Sequence, residues 1–418
     1  MTLTILLIIA VAAGFYMAWN IGANDVANAF GTSVGSGALT IRQVVILAGI
    51  FEFSGAFLVG TNVADTIKGG IIATEPFSGS VELFGMGMLA ALLAAAIWLN
   101  VATYFSQPVS TTHAIIGAVI GFGVVARGPG CVAWTKMGTI AASWVISPLA
   151  GGIIAYIVYK CIVRVVLNSR HPVYMARMAV PLGLSGVVCI VVLSVLYRGL
   201  PRLRLDLPLG VAAAIALPAA AAAYVACRAA IQIRTRNRRI RLAERYIVVE
   251  RWFSRLQVVT GCYMAFAHGA NDVANAVGPL AGCIQIFREH ADTVATKTPV
   301  SPLLLAFGGV AIVVGLATYG TKVIEAVGRK ITEVTPTRGF SAEFATASTV
   351  LVCSKMGLPI STTFVLVGAV MGVGIARGFA AIDLKVIRRI FASWLITIPI
   401  SAALAAGIFM LLRLVLGT

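Results

Sequence analysis

Seven apolar runs set the terms for this chain: Leu3 to Trp19, Val44 to Val59, Leu83 to Phe105, Ile140 to Tyr159, Val180 to Tyr197, Leu207 to Cys227 and Ile390 to Leu412. Each approaches or exceeds the ~20 residues that carry a helix across a bilayer. Inside hydrocarbon a backbone N–H or C=O has no water to bond, so runs of this kind must be helical and satisfy themselves. Only 11% of the residues are charged, against about a quarter in soluble domains. The chain reads as an all-α integral membrane protein. Leu3 to Gly14 has the look of a secretory signal, but no Lys or Arg precedes it and the apolar run continues into Tyr16-Met17-Ala18-Trp19. It is expected to stay as a first transmembrane helix.

The chain also repeats itself. Tyr16 to Gly31 (YMAWNIGANDVANAFG) matches Tyr263 to Gly278 (YMAFAHGANDVANAVG) at 12 of 16 positions with an offset of 247. Pro108 to Gly123 (PVSTTHAIIGAVIGFG) matches Pro359 to Gly374 (PISTTFVLVGAVMGVG) with an offset of 251. Ala142-Ser143-Trp144 returns as Ala392-Ser393-Trp394, and Gly60-Thr61-Asn62-Val63 has a fainter echo in Gly320-Thr321-Lys322-Val323. A duplicated and fused unit follows: residues 1–160 form the first repeat, 161–255 a connector with two spans and a basic loop, and 256–418 the second repeat.

Charge sets the orientation. If five crossings precede the Lys160 to Arg177 loop and two follow it, the second repeat enters upside down. The N-terminus then lies outside and the central basic loop in the cytoplasm. That arrangement puts 22 of the 32 Lys and Arg residues on the inner side, nine of them between Arg228 and Arg255, as the positive-inside rule requires. Reading Leu92 to Ala126 as a re-entrant hairpin removes two crossings and keeps the parity. The expected architecture is two inverted repeats with broken or re-entrant helices and roughly 10–12 transmembrane segments in a cell membrane.

Asp25 and Asp272 lie in the two GANDVANA copies, flanked by Asn24 and Asn28 and by Asn271 and Asn275. Such side chains are costly in hydrocarbon unless they face a cavity or a partner, which makes them candidates for function. They could instead only bridge helices. Their appearance at matching places in both halves, among helix-weakening Gly and Asn, favours a binding site near mid-membrane where helices are interrupted.

Ser110-Thr111-Thr112 and Ser361-Thr362-Thr363 each follow a Pro-Val or Pro-Ile pair. Proline stops a helix arriving from its N-terminal side, and Ser or Thr caps the helix that follows. Two half-helices should therefore present N–H groups, the positive dipole end and hydroxyls to an anion. Asn24, Asp25, Asn28, Asn271, Asp272 and Asn275 offer oxygens to a hard monovalent cation, with sodium the first choice. A carboxylate beside an anion makes sense if a cation neutralises it or if the anion donates a proton to it. Phosphate near neutral pH carries such a proton and sulfate does not.

Glu52 and Glu343 are two further acids in apolar surroundings, as coupling acids or as plain helix-packing groups. They do not align in the repeats, since Glu343 falls opposite Leu92. His113 follows the first STT while Phe364 takes that place in the second, and His268 stands where the first repeat has Ile21. A metal site needing both positions is excluded, and His113 is expected to orient its loop.

Other classes find little support. The seven cysteines are scattered without CxxC spacing, as small apolar residues would be. The net charge of +17 sits largely in the basic connector, where anionic headgroups account for it without nucleic acid. No GxSxG and no GxxxxGK[ST] occurs, so neither a membrane hydrolase nor an ATP-driven pump is indicated, no cofactor is expected, and the driving force must be a gradient. A passive anion channel or a structural assembly remains as the reading from another class.

With GANDVANA and PxSTT in both halves and a basic centre, the chain resembles the inorganic phosphate transporter (PiT) family over nearly its whole length. The resemblance implies cation-coupled uptake of inorganic phosphate, an inverted-repeat helical fold, an elevator-like movement and frequent homodimers. It implies that Asn24, Asp25, Asn271 and Asp272 with the two Ser-Thr-Thr sets surround phosphate and its cations, and that Glu52 and Glu343 matter. Phe364 departs from the His usual after the second STT, and the short connector resembles prokaryotic forms. Proton coupling, a metal-phosphate complex and sulfate stay open as variants of the same scheme.

Overall fold

The computed structural model describes residues 2–105, 109–197, 207–235, 240–288, 300–320, 335–378 and 384–416. Pro108, the Thr321-Lys322-Val323 echo and the Arg236 to Arg239 part of the basic loop lie outside the described residues. Among the described residues there is no strand, only an isolated bridge between Ile72 and Val132.

The helices run in chain order as α1 (Thr2–Gly35), α2 (Ile41–Val59), α3 (Thr61–Gly69), α4 (Val81–Tyr104), α5 (Thr111–Arg127), α6 (Trp134–Ile162) and α7 (Pro172–Leu196). They continue as α8 (Leu209–Thr235), α9 (Arg245–Phe287), α10 (Pro302–Gly315), α11 (Pro336–Lys355), α12 (Thr362–Arg377) and α13 (Leu384–Leu416). Eight helices among the described residues are long and apolar enough to cross a membrane, while α5 and α12 are apolar but shorter. The 43-residue α9 is absent from that set because its motif polarity dilutes its hydropathy. It is nevertheless the most enclosed helix, with every residue from Thr260 to Leu280 buried.

Chain breaks fall at the PxSTT turns, not at GANDVANA. Both α1 and α9 run through their GANDVANA copies as continuous α-helix. Sequence reasoning expected glycine and asparagine to weaken the helix there. In the structure Asn24, Asn28, Asn271 and Asn275 direct their side-chain amides to partners on other segments, so they do not compete with their own backbone. At the other motif, α4 and α5 form a hairpin closed by Phe84 against Phe122 at 6.2 Å. Its tip at Val109 and Ser110 is buried. The second hairpin, α11 with α12, brings Ile360 and Ser361 to the same region, and Thr112 donates to the Ile360 carbonyl at 3.0 Å.

Helices are exchanged between the halves. Helix α5 packs on α13 of the second repeat and α12 on α6 of the first, while α1 packs on α10 and α9 on α2. The first glycine of each GANDVANA allows this. A Cβ on Gly22 would lie 1.9 Å from the Ile312 carbonyl oxygen, and one on Gly269 would lie 2.1 Å from that of Glu52. Backbone therefore approaches backbone at both seams, and the paired contacts relate the halves by one exchange.

Gly22→Ala and Gly269→Ala should each push the seam apart and lower stability by about 1–3 kcal/mol or more, the range for overpacking a filled core. Thermal unfolding of the purified variants measures the loss; an unchanged midpoint for both would remove the close-approach role.

Candidate functional site

The two GANDVANA helices lie against each other, and the half-helix tips close over them. Ser110 caps α5 by accepting from the His113 N–H at 3.2 Å, and Ser361 caps α12 by accepting from the Phe364 N–H at 3.4 Å. These are the caps that the Ser-Thr-Thr spacing predicts. Ser110, Thr111, Thr112, Ser361, Thr362 and Thr363 are all buried.

The polar contacts come in matched pairs. Within the first half Asn24 Nδ2 donates to the Val109 carbonyl at 3.2 Å and to Asp25 Oδ1 at 3.0 Å. Within the second, Asn271 Nδ2 donates to the Ile360 carbonyl at 2.9 Å and to Asp272 Oδ1 at 2.8 Å. Between halves, Asn28 Nδ2 donates to Thr363 Oγ1 at 2.8 Å while Asn275 Nδ2 donates to Thr112 Oγ1 at 3.2 Å. Asn28 and Asn275 also donate to Asp25 Oδ1 and Asp272 Oδ1 at 2.9 and 3.1 Å. Thr362 donates to Asp272 Oδ2 at 3.0 Å, and Thr363 to Asp25 Oδ1 at 3.5 Å. Each carboxylate is thus held by its own amides and by hydroxyls of the second hairpin tip.

Two members were missed by sequence reasoning. Thr103 donates to Asn24 Oδ1 at 3.1 Å, and Ser354 donates to Asn271 Oδ1 at 3.2 Å. Both are hydroxyl residues five positions before the proline of PxSTT, a repeat signal that could have found them.

At the centre His268 Nε2 lies 2.8 Å from Asp272 Oδ2 and 3.8 Å from Asp25 Oδ2, while its Nδ1 lies 3.2 Å from Glu52 Oε1. One ligand atom each from Asp25, His268 and Asp272 falls within 4.8 Å of the others. Asp25 Oδ2, Glu52 Oε2 and Asn275 Oδ1 are buried and take no hydrogen bond among the described residues. Buried oxygens are ordinarily paired, so this group has spare acceptors suited to a cation, and the buried helix N-termini of α5 and α12 are suited to an anion. Glu52 belongs to this centre through His268. Glu343 does not: it accepts from Ser33 at 2.8 Å, Thr260 at 2.6 Å, Gln257 at 3.3 Å and Thr32.

Comparison with known proteins places this geometry. The Phosphate transporter family profile matches residues 21–405. The chain belongs to the phosphate transporter family. Inorganic phosphate transporter 2-1, chloroplastic, of Arabidopsis thaliana is 45% identical over 412 residues, which cover 94% of this chain and 70% of that protein. A solved structure, the sodium-dependent phosphate transporter, superposes with a TM-score of 0.92 at 38% identity, covering 99% of this chain and 100% of that one. The fold and family are those of transporters.

Within this member of the phosphate transporter family the halves are not equal. The backbone seams equate Gly22 with Gly269 and Ile312 with Glu52, and the neighbouring positions are Ile21 and His268. A buried Glu-His pair in one seam therefore stands where the other seam has two isoleucines. Glu343 with Thr32, Ser33, Gln257 and Thr260 corresponds by the repeat offsets to Leu92, Pro279, Leu280, Ala10 and Ala13, all buried and apolar. The His113 ring is held by packing and not by hydrogen bonds. Neither ring nitrogen has a partner among the described residues, and the ring packs 4.0 Å from that of Trp144 and 4.5 Å from that of Phe364.

Breaking a buried ionic contact from one side costs about 3–5 kcal/mol, whereas replacing both partners with apolar residues is often neutral. His268→Ile alone should accordingly be strongly destabilising, and His268→Ile combined with Glu52→Ile, which copies the other seam, should melt above the single variant. A double variant that melts below it would show that the two seams are not equivalent.

Proposed function

We propose that this protein is a secondary active importer of inorganic phosphate, driven by cation symport, with sodium the cation its donor set favours. The observation that carries this is the meeting of two amide-held carboxylates with two hydroxyl-capped half-helices in one buried place inside a bundle of membrane-length helices. Family membership and the fold of a sodium-dependent phosphate transporter support it.

In this reading Ser110, Thr111, Thr112, Ser361, Thr362 and Thr363 with the N-termini of α5 and α12 receive phosphate. Asn24 and Asn271 hold the hairpin tips in place through the Val109 and Ile360 carbonyls, and Asp25 and Asp272, with Asn28 and Asn275, receive sodium. Each ion screens the other: the cation offsets repulsion between phosphate and the carboxylates, so neither is bound well alone. That mutual dependence is what coupling requires. Glu52 and Glu343 act as coupling acids, and the polar nest around Glu343 in only one half gives the cation path a direction. The N-terminus lies outside, the basic connector in the cytoplasm, and the protein in the cell membrane. A proton-coupled variant is favoured by one observation, His268 bridging three carboxylates.

Proteoliposomes test this. Labelled phosphate should accumulate above equilibrium only under an inward sodium gradient, and replacing sodium with choline should abolish accumulation. Accumulation driven by a pH gradient without sodium would install the proton reading, and downhill flux alone would install a channel. Asp25→Asn should lower sodium-driven uptake about 10-fold to 100-fold, the scale of one lost charged interaction; intact uptake and intact selectivity over sulfate would refute its role. Sodium chloride, but not choline chloride, should raise the thermal midpoint of the wild type by ligand linkage, and this rise should be smaller in Asp272→Asn.

A further inference from the structure

Basic residues of the connector do more than mark a side. A cavity of about 520 Å³ is lined by His171, Tyr174, Arg177, Ile240 and Arg245, at the start of α7 and the start of α9. One turn further along α7 a second cavity of about 210 Å³ opens between α7, α8 and α9, with Val180, Leu184, Cys227 and Trp252 among its walls and Arg234 and Arg255 also on it. The first is bordered by Arg177, Arg245, His171 and Tyr174, and the second is lined mainly by apolar side chains of α7, α8 and α9.

Four guanidinium groups thus line the two cavities, and none of them pairs with a carboxylate among the described residues. Arg177 Nε is buried and without a hydrogen-bond partner among the described residues, and Arg245 has only the Arg170 carbonyl at 3.5 Å. Of the acids near them, Glu244 directly precedes Arg245 without an ion pair among the described residues, and Glu250 is already engaged, accepting from the Thr337 N–H at 3.0 Å and from its hydroxyl at 2.9 Å. A buried guanidinium nitrogen without an acceptor, at half-buried Arg177 beside half-buried Arg245 and exposed Arg234 and Arg255, calls for an outside anion. An apolar slot beside them calls for a hydrocarbon chain on the same molecule.

We propose that this pair of cavities binds an anionic phospholipid, its phosphate between Arg177 and Arg245 and one acyl chain in the slot between α7, α8 and α9. Charge complementarity and the polar-to-apolar sequence of the two cavities select this occupant over a zwitterionic lipid. The lipid would tie the connector helices to α9, the helix that carries the second GANDVANA.

Native mass spectrometry of the full chain, titrated with phosphatidylglycerol or phosphatidylcholine, tests the assignment. The wild type should retain phosphatidylglycerol preferentially. Arg177→Ala with Arg245→Ala should weaken that retention about 30-fold, the factor expected for two charges near an anionic lipid surface. Ala230→Phe, which fills the slot and leaves all four arginines, should weaken it as well; its thermal midpoint, matched to the wild type, keeps the result readable if the double variant does not fold. Equal retention of both lipids by the wild type, or unchanged retention in Ala230→Phe, would overturn the proposal. Equilibrium binding of labelled inorganic phosphate in phosphatidylcholine nanodiscs separates the sources. The wild type and the arginine variant should bind the same number of phosphates, and loss of one in the variant would assign the guanidiniums to free phosphate and not to lipid.

Discussion

A carboxylate in hydrocarbon must be compensated, and the placing of Asp25 and Asp272 governs the rest of this molecule. Burial of an ionised acid without partners costs far more than a membrane protein's net stability can absorb. Each acid here takes amide donors from its own helix and hydroxyl donors from the second hairpin tip. Those hydroxyls are available because α11 ends at Lys355 and α12 starts at Thr362 with Ser361 as its cap, presenting a helix beginning inside the protein. Broken helices are therefore the means by which the acids become tolerable.

The exchange of elements follows from the same need. A half-helix such as α5 or α12 has its first turn in the middle of the protein, where backbone N–H groups and hydroxyls face inward, and it lacks the length to stand alone across a membrane. Packing α5 on α13 and α12 on α6 supplies each half-helix with a full-length neighbour from the other repeat. The site then lies where the two repeats share atoms: Thr112 reaches the Ile360 carbonyl, Asn28 reaches Thr363 and Asn275 reaches Thr112. Neither repeat makes these contacts by itself.

Much of this was legible in the residues, because duplication doubles every signal. The membrane class came from run length, the repeats from GANDVANA and PxSTT, and the caps from Ser110 and Ser361, each a local feature whose physics does not depend on the fold. What escaped depended on three dimensions. Helix continuity through GANDVANA could not be read, because it rests on amide partners 85 or more residues away. Thr103 and Ser354 escaped because they sit in otherwise ordinary helical sequence. The nest of Thr32, Ser33, Gln257 and Thr260 around Glu343 draws on three helices, so no linear spacing announces it.

Where the repeats differ is more informative than where they agree. Two copies of one unit could bind an ion pair symmetrically and still have no means of treating the two sides of a membrane differently. The residues that break the likeness are mostly polar in one place and apolar in the matching place: His268 for Ile21, Glu52 for Ile312, Glu343 for Leu92. These three lie at the central carboxylates and one to two turns beyond Asn28 along α1, through Thr32 and Ser33, whereas His113, set against Phe364, breaks the likeness at the hairpin tips. Hydrocarbon tolerates buried Glu and His only with partners, and the equivalent space in the other half is filled with buried Leu, Ala and Pro. Matched residues make up the candidate site, and the polar residues without a match make the two halves unlike in packing.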